Sequence, residues 1–210
     1  MTRMMKSCFV TLATLFLWQL EEGTEACSCI PSHPQQAFCN SDVVFRAKVI
    51  GAQVLNMGND SFVNPFPSVK YDIKMMKMFK GPTGNIDAVY TASSSAPCGV
   101  SLDTNGEQYL ITGRLEEDGT VHITLCNFFQ QWDTLSNAQK LNLIQRYQTG
   151  CDCKITYCSS IPCMINGPAE CLWTDFLTGS TEQARAYACI MRSDGSCSWY
   201  RNRIPSKAEH

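Results

Sequence analysis

Val69-Lys-Tyr-Asp-Ile-Lys-Met-Met-Lys-Met-Phe79 opens with strict alternation, which sets Val69, Tyr71 and Ile73 on one face of an extended chain. Period two is the mark of a half-buried β-strand, and the same character recurs on both sides of this stretch. Upstream, residues 43–50 are rich in β-branched and apolar side chains. Downstream, residues 86–92, 108–115 and 121–126 read as further strands, and Glu117-Asp118-Gly119 marks a hairpin turn between the last two. Helical spacing enters over residues 135–147, with Ser136 and Gln139 placed to form a capping box and Gly150 to supply the stop. A short helix is expected over residues 34–38, with proline in its first turn. The chain therefore reads as mainly β with a few short helices. Five antiparallel strands fit a small closed or partly open barrel of the OB type and fit a sandwich nearly as well; periodicity alone does not separate the two.

Residues 51–68 carry Gly58-Asn59-Asp60, Asn64-Pro65 and Pro67, the composition of an exposed turn between the first two strands. Phe62 and Phe66 are unusual in such a turn. Either they fold back onto the barrel, or one of them contacts a partner.

The first 26 residues have the pattern of a secretory signal. Arg3 and Lys6 give the positive start, residues 8–20 the apolar stretch, and Thr24-Glu25-Ala26 a small-x-small cleavage site. The expected location is the extracellular space or matrix. No other run approaches the roughly 18 consecutive apolar residues of a membrane helix, so membrane insertion is not expected. Without the leader, fifteen Lys and Arg stand against sixteen Asp and Glu, a balance that does not argue for nucleic acid as a partner.

Of thirteen cysteines, Cys8 lies in the leader; the remaining twelve form an even set suited to full pairing in an oxidising compartment. They fall into two groups. Cys27, Cys29, Cys39, Cys98, Cys126 and Cys151 are widely spread, whereas Cys153, Cys158, Cys163, Cys171, Cys189 and Cys197 are crowded together. Two units are expected, 27–151 with a real core and 152–210 dependent on its cross-links.

Cysteine is a good zinc ligand, but in a secreted chain with an even cysteine count disulfides are favoured. Only His33, His122 and His210 are present, none in a metal-binding spacing, and no Gly-x-Ser-x-Gly occurs. The chain does not read as an enzyme, and no cofactor of its own is expected. What remains is the terminus that cleavage after Ala26 would create. A neutral α-amino nitrogen and the carbonyl oxygen of the same residue can close a five-membered chelate on a metal. A disulfide at Cys27 would remove the ordering cost of that contact.

Cys27-Ser-Cys-Ile-Pro-Ser-His-Pro-Gln-Gln-Ala-Phe-Cys39, Val44-Phe-Arg-Ala-Lys48, Lys77-Met-Phe-Lys-Gly-Pro82, Cys98-Gly-Val and Glu170-Cys-Leu-Trp173 together resemble the tissue inhibitors of metalloproteinases. The likeness runs from Cys27 to about Arg201. It implies an OB-like, netrin-type five-stranded barrel for 27–151 and a small disulfide-rich C-terminal domain. It also implies the pairs Cys27 with Cys98, Cys29 with Cys126, Cys39 with Cys151, Cys153 with Cys197, Cys158 with Cys163, and Cys171 with Cys189. By the same resemblance Cys27 ligates the zinc of a target protease and Ser28 points into its specificity pocket. The contact set would comprise Cys27, Ser28, Cys29, Ile30 and Pro31 with Ser94, Ser95, Ala96, Pro97 and Cys98, joined by Phe62 from the 51–68 turn.

The implied partners are matrix metalloproteinases, membrane-type ones among them. Asn59-Asp60-Ser61 is a glycosylation sequon in the turn that would approach membrane-type proteases, so a glycan on Asn59 would obstruct that contact. Phe62 stands where the resemblance puts a tyrosine. The ending, Ile204-Pro-Ser-Lys-Ala-Glu-His210, is shorter and less acidic than the tail with which the family docks the progelatinase haemopexin domain, which weakens the case for progelatinase as a partner. Lys70, Lys74, Lys77 and Lys80 fit a solvated face better than a site for sulfated sugars, and Trp173 and Trp199 are expected in the core of the second unit. The competing functional readings are a non-inhibitory netrin-like binding module for a receptor or matrix component, and a structural matrix protein.

Overall fold

The computed structural model describes residues 27–55 and 67–202. The leader, Asn59, Phe62, Phe66 and the chain end from residue 203 lie outside them. The first unit contains α1 (Pro34–Asn40), β1 (Val43–Leu55), β2 (Ser68–Lys80), β3 (Ala88–Ala92), β4 (Gln108–Leu115), β5 (Val121–His122), β6 (Phe129–Gln131) and α2 (Asn137–Gln145). The remainder contains β7 (Lys154–Tyr157), β8 (Glu170–Trp173), α3 (Asp175–Thr178), α4 (Glu182–Ala186), β9 (Tyr187–Met191) and β10 (Cys197–Arg201). The protein is mainly β with short helices.

Five strands close into a ring. β1 pairs antiparallel with β2 and with β4, β2 with β3, and β4 with β5, while β3 and β5 meet in parallel at Tyr90 and His122. That parallel contact departs from the all-antiparallel expectation. β6 adds to β4 through Tyr109, Leu110 and Ile111. The alternation that defines β2 turns Tyr71 and Ile73 into the ring, where they meet Phe45, Val49, Val89, Ile111 and Val121. Each such side chain taken fully out of water contributes roughly 1.5–3 kcal/mol.

β1 is buried on both faces at its start. Phe45, Ala47 and Val49 fill the barrel, while Val44 points outward under Phe38, Leu110, Leu143 and Tyr147. α1 and α2 supply that outer cover. The strand expected over residues 121–126 stops at His122, because Asn127 Oδ1 accepts from the Thr124 N–H at 2.7 Å and turns the chain. β1 in turn runs five residues past its expected end, to Leu55, through register shifts that twist it away from the barrel.

α2 begins on the expected capping box: the Ser136 hydroxyl accepts from the Gln139 N–H while the Gln139 side chain accepts from the Ser136 N–H. Its end differs from expectation. The helix stops at Gln145, and Gly150 closes a separate 3-10 turn. Glycine is required there by close approach, since a Cβ would lie 2.2 Å from the Cys189 carbonyl oxygen and 2.3 Å from Gln35 Nε2.

The two parts of the chain pack against each other where they meet. Ala188 of β9 belongs to the cluster formed by Phe38, Val44, Leu110, Leu135, Leu143 and Tyr147. Trp199 does pack on Cys153, Cys171 and Cys189, yet both Trp199 and Trp173 also hold the ring of His33 from the first unit, with centroids at 5.1 and 5.5 Å.

Candidate functional site

The site is built on the exit of β3. After Ala92 the chain turns through residues 93–98, closed by the Cys98 N–H on the Ser95 carbonyl at 3.0 Å and the Gly99 N–H on the Ser94 carbonyl at 2.9 Å. Cys98 takes a left-handed backbone conformation, φ 63°, uncommon outside glycine. Gly99 has no room for a side chain: a Cβ would sit 2.1 Å from the Ala92 carbonyl oxygen and 2.4 Å from that of Ser94. Below the turn, buried Thr91 accepts from the Val100 N–H, and Tyr71 bridges the Val100 carbonyl and the Leu102 N–H. The turn is therefore moored to the barrel through several hydrogen bonds.

Cys27 is joined to this turn by its disulfide to Cys98, with Cα atoms 5.1 Å apart, and Cys29 is joined to Cys126, with Cα atoms 5.2 Å apart. The Leu125 N–H donates to the Cys98 carbonyl at 2.8 Å, so three chain segments meet around the two bridges. The remaining bridges are Cys39–Cys151, Cys153–Cys197, Cys158–Cys163 and Cys171–Cys189. Ser28, Ile30, Pro31, Ser94, Ser95 and Ala96 are exposed, while Cys27, Cys29, Pro97 and Cys98 are half-buried. Ile30 stands 85 % exposed, an apolar side chain presented to solvent.

Immediately after residues 27–31, His33 caps α1. Its Nδ1 accepts from the Gln35 N–H at 3.2 Å, which leaves Nε2 to donate to the Gln183 carbonyl at 3.1 Å. Burial pushes its pKa down to about 4, against smaller upward pulls from the Gln183 carbonyl and Asp175. Residues 27–31 are thus joined to a fixed, neutral anchor. Segments 27–31 and 93–98 hold no charged side chain at all.

Residues 27–31 and the 94–98 turn are thus brought together by the bridge at Cys27. Phe62 and Asn59 fall outside the described residues. Of the residues that shape the site from beneath, Thr91, Leu125 and Asn127 were not singled out in the sequence, whereas Gly99 stood within the quoted Cys98-Gly-Val. Only Gly99 carried a signal, as a glycine following a half-cystine. Two groups of sulfurs lie close enough to suggest metal ligation, Cys27/Cys29/Cys126 and Cys153/Cys189/Cys197, but every one of these sulfurs is committed to a disulfide. They carry no thiolate with which to bind an ion.

Comparison with known proteins bears on what this geometry serves. The chain is 54 % identical to metalloproteinase inhibitor 2 of Cavia porcellus over 208 residues, covering 97 % of this chain and 94 % of that one. It is 54 % identical to metalloproteinase inhibitor 2 of Homo sapiens over 204 residues, covering 95 % and 93 %, and 51 % identical to that of Gallus gallus over 208 residues, covering 97 % and 94 %. Since the profile described as tissue inhibitor of metalloproteinase matches residues 25–199, nearly everything from the doubly bridged 27–29 segment to β10, the chain belongs to that family.

Proposed function

We propose that this protein is a secreted inhibitor of zinc-dependent matrix metalloproteinases, and that it acts by ligating the protease's zinc through the α-amino nitrogen and carbonyl oxygen of Cys27. The observation that carries the reading is the bridge between Cys27 and Cys98, which ties the terminal segment to an exposed, uncharged turn that is itself moored to the barrel. A catalytic zinc in a protease keeps one coordination position for water. A rigid chelate that takes this position displaces the water and leaves the enzyme without its nucleophile. In this reading Ser28, which is exposed beside Cys27, enters the primary specificity pocket, and Ile30, Pro31 and residues 94–97 fill the cleft on either side. In this reading the inhibitory unit is 27–151 and the unit from 152 onward is an accessory. Membrane-type proteases fall within the partner class, with Phe62 and any glycan on Asn59 adjusting that contact.

Ligation requires cleavage after Ala26 and a neutral amine. The ordinary α-amino pKa is about 7.7–8.0, so binding at neutral pH releases a proton, and each unit of acidification below that range weakens inhibition by up to about tenfold. The test compares the mature chain starting at Cys27 with a form carrying one additional N-terminal alanine, titrated against catalytic domains of several matrix metalloproteinases. The extended form is expected to lose most inhibition while keeping its circular dichroism and melting temperature. Equal inhibition by the two forms would contradict the chelate. Failure of the Cys27 form to inhibit any protease in the panel would favour the non-inhibitory binding module.

A further inference from the structure

Four sulfurs are gathered at the terminus, and their arrangement permits chemistry beyond holding the chain in place. Cys27 Sγ lies 3.9 Å from Cys29 Sγ and 3.9 Å from Cys126 Sγ, so the two bridges are in van der Waals contact. Among the twelve bridged cysteines, Cys126 alone is exposed; the others are half-buried or buried. An attacking thiolate needs access to one sulfur of a bridge, and exchange then expels the other sulfur as a thiolate. Access and proximity therefore act in sequence at this site.

The geometry points to a thiol–disulfide exchange relay in which an external dithiol enters at Cys126 and the break is passed on to the Cys27–Cys98 bridge. In the first step a thiolate of the dithiol bonds to Cys126 Sγ, the Cys29–Cys126 bond breaks, and Cys29 leaves as a thiolate. That thiolate already touches Cys27 Sγ. In the second step it bonds to Cys27 Sγ, closing 3.9 Å to an ordinary bond length of about 2.05 Å, and Cys98 leaves as a thiolate. In the third step the second thiol of the reagent attacks its own sulfur on Cys126, frees Cys126 and departs as a cyclic disulfide. The sum is balanced: one dithiol is oxidised by two electrons, one protein disulfide is lost, and its two hydrogens end on Cys98 and Cys126. Cys27 and Cys29 are joined to each other.

The intramolecular step has the advantage of a nucleophile held at its target, whereas a direct second attack from solvent must reach half-buried sulfurs. The product has lost the link between the terminal segment and residues 94–98. If the terminus works as proposed above, the exchange switches inhibition off; that functional consequence rests on the zinc-ligation reading, whereas the exchange itself does not.

The test treats the mature chain with limiting dithiothreitol near pH 8, where an ordinary thiol of pKa about 8.5 is partly ionised. It is then quenched with an alkylating agent, and the labelled cysteines and remaining bridges are mapped by mass spectrometry, with inhibition measured on the same samples. The expected first product carries label on Cys98 and Cys126 in equal amount and yields a peptide with Cys27 bridged to Cys29. Label on Cys29 and Cys126 with Cys27–Cys98 intact would overturn the relay, as would first labelling at any of the other four bridges. In the double variant Cys29→Ser/Cys126→Ser the Cys27–Cys98 bridge is expected to resist the same treatment; should that variant not fold, the map of the native chain decides alone. A sample that shows the Cys27–Cys29 product yet retains full inhibition would uphold the relay and refute the ligation reading.

Discussion

His33 is where acidity acts on this fold. Its ring is buried between Trp173 and Trp199, with Nδ1 turned to the Gln35 N–H and Nε2 to the Gln183 carbonyl, and Asp175 is the charged group nearest to it. A proton added to Nδ1 would set N–H against N–H and remove the cap of α1. The folded chain takes that proton only at about pH 4, because burial disfavours the cation, whereas the unfolded chain takes it near 6.5. Between those values the unfolded state binds more protons. Stability is therefore full above pH 6.5, falls as pH drops through the window, and levels off near 4, a total of about 3 kcal/mol. His33→Asn keeps a capping acceptor without the titration. Urea midpoints of the variant measured at pH 7, 6 and 5 are expected to fall less steeply than those of the native chain, the gap widening by up to about 1.4 kcal/mol per unit. Parallel slopes would show that His33 titrates alike in both states. None of this was legible in the sequence, because the partners of His33 other than Gln35, namely Trp173, Asp175, Gln183 and Trp199, lie far along the chain, and a lone histidine gives no periodic signal.

At the level of elements, local rules carried far. Residues 108–115 form a strand over their full expected length, a continuous buried run with Tyr109 and Ile111 in the barrel and Leu110 in the outer cluster, and Glu117-Asp118-Gly119 turns where expected, with Gly119 at φ 85°. The ring itself was not legible, since its closure depends on the single pair Tyr90 and His122, and no pattern of period two encodes a contact between strands so far apart. Nor does spacing choose among the fifteen ways of pairing six cysteines; the resemblance, not the spacing, proposed the bridge that shapes the site. The capping box of α2 offers a quantitative check. Ser136 accepts from the Gln139 N–H and also donates to the Arg185 carbonyl, so one hydroxyl both starts the helix and ties it to α4. Ser136→Ala is expected to cost about 1–2 kcal/mol. The change should appear as a lower urea midpoint with an unaltered slope, since the surface exposed on unfolding is the same. A cost below a few tenths would mean that water replaces both bonds.

For the whole molecule, the decisive residue is a buried amide. Gln35, on α1, donates through Nε2 to the carbonyls of Gly150 and Cys189, at 3.0 and 2.6 Å, and accepts through Oε1 from the Cys189 N–H at 2.7 Å. One side chain thus satisfies three backbone groups in parts of the chain that the cysteine spacing assigns to different units. The Cys39–Cys151 bridge runs alongside, and Ala188 contributes to the outer core of the barrel. The two parts are joined by buried hydrogen bonds as well as by apolar contacts, so loosening one leaves polar groups of the other without partners. In the native chain, amides of β1 and of β9 are expected to reach the same limit of protection in hydrogen exchange, as in a single cooperative unit. Gln35→Ala leaves the three backbone groups without partners, each costing about 1–3 kcal/mol when buried, although water entering the vacated space recovers part of that. A net loss of about 3 kcal/mol is expected. Because the backbone runs directly from Cys151, itself bridged to Cys39, into the second part, the parts stay within reach and the loss should fall unevenly, with Ala188 and Cys189 exchanging by local opening while Val44 and Phe45 remain protected to the reduced global limit. Identical behaviour of β1 and β9 in the variant would place the cohesion in the apolar contacts of Ala188 and its neighbours, and not in the amide that reaches between them.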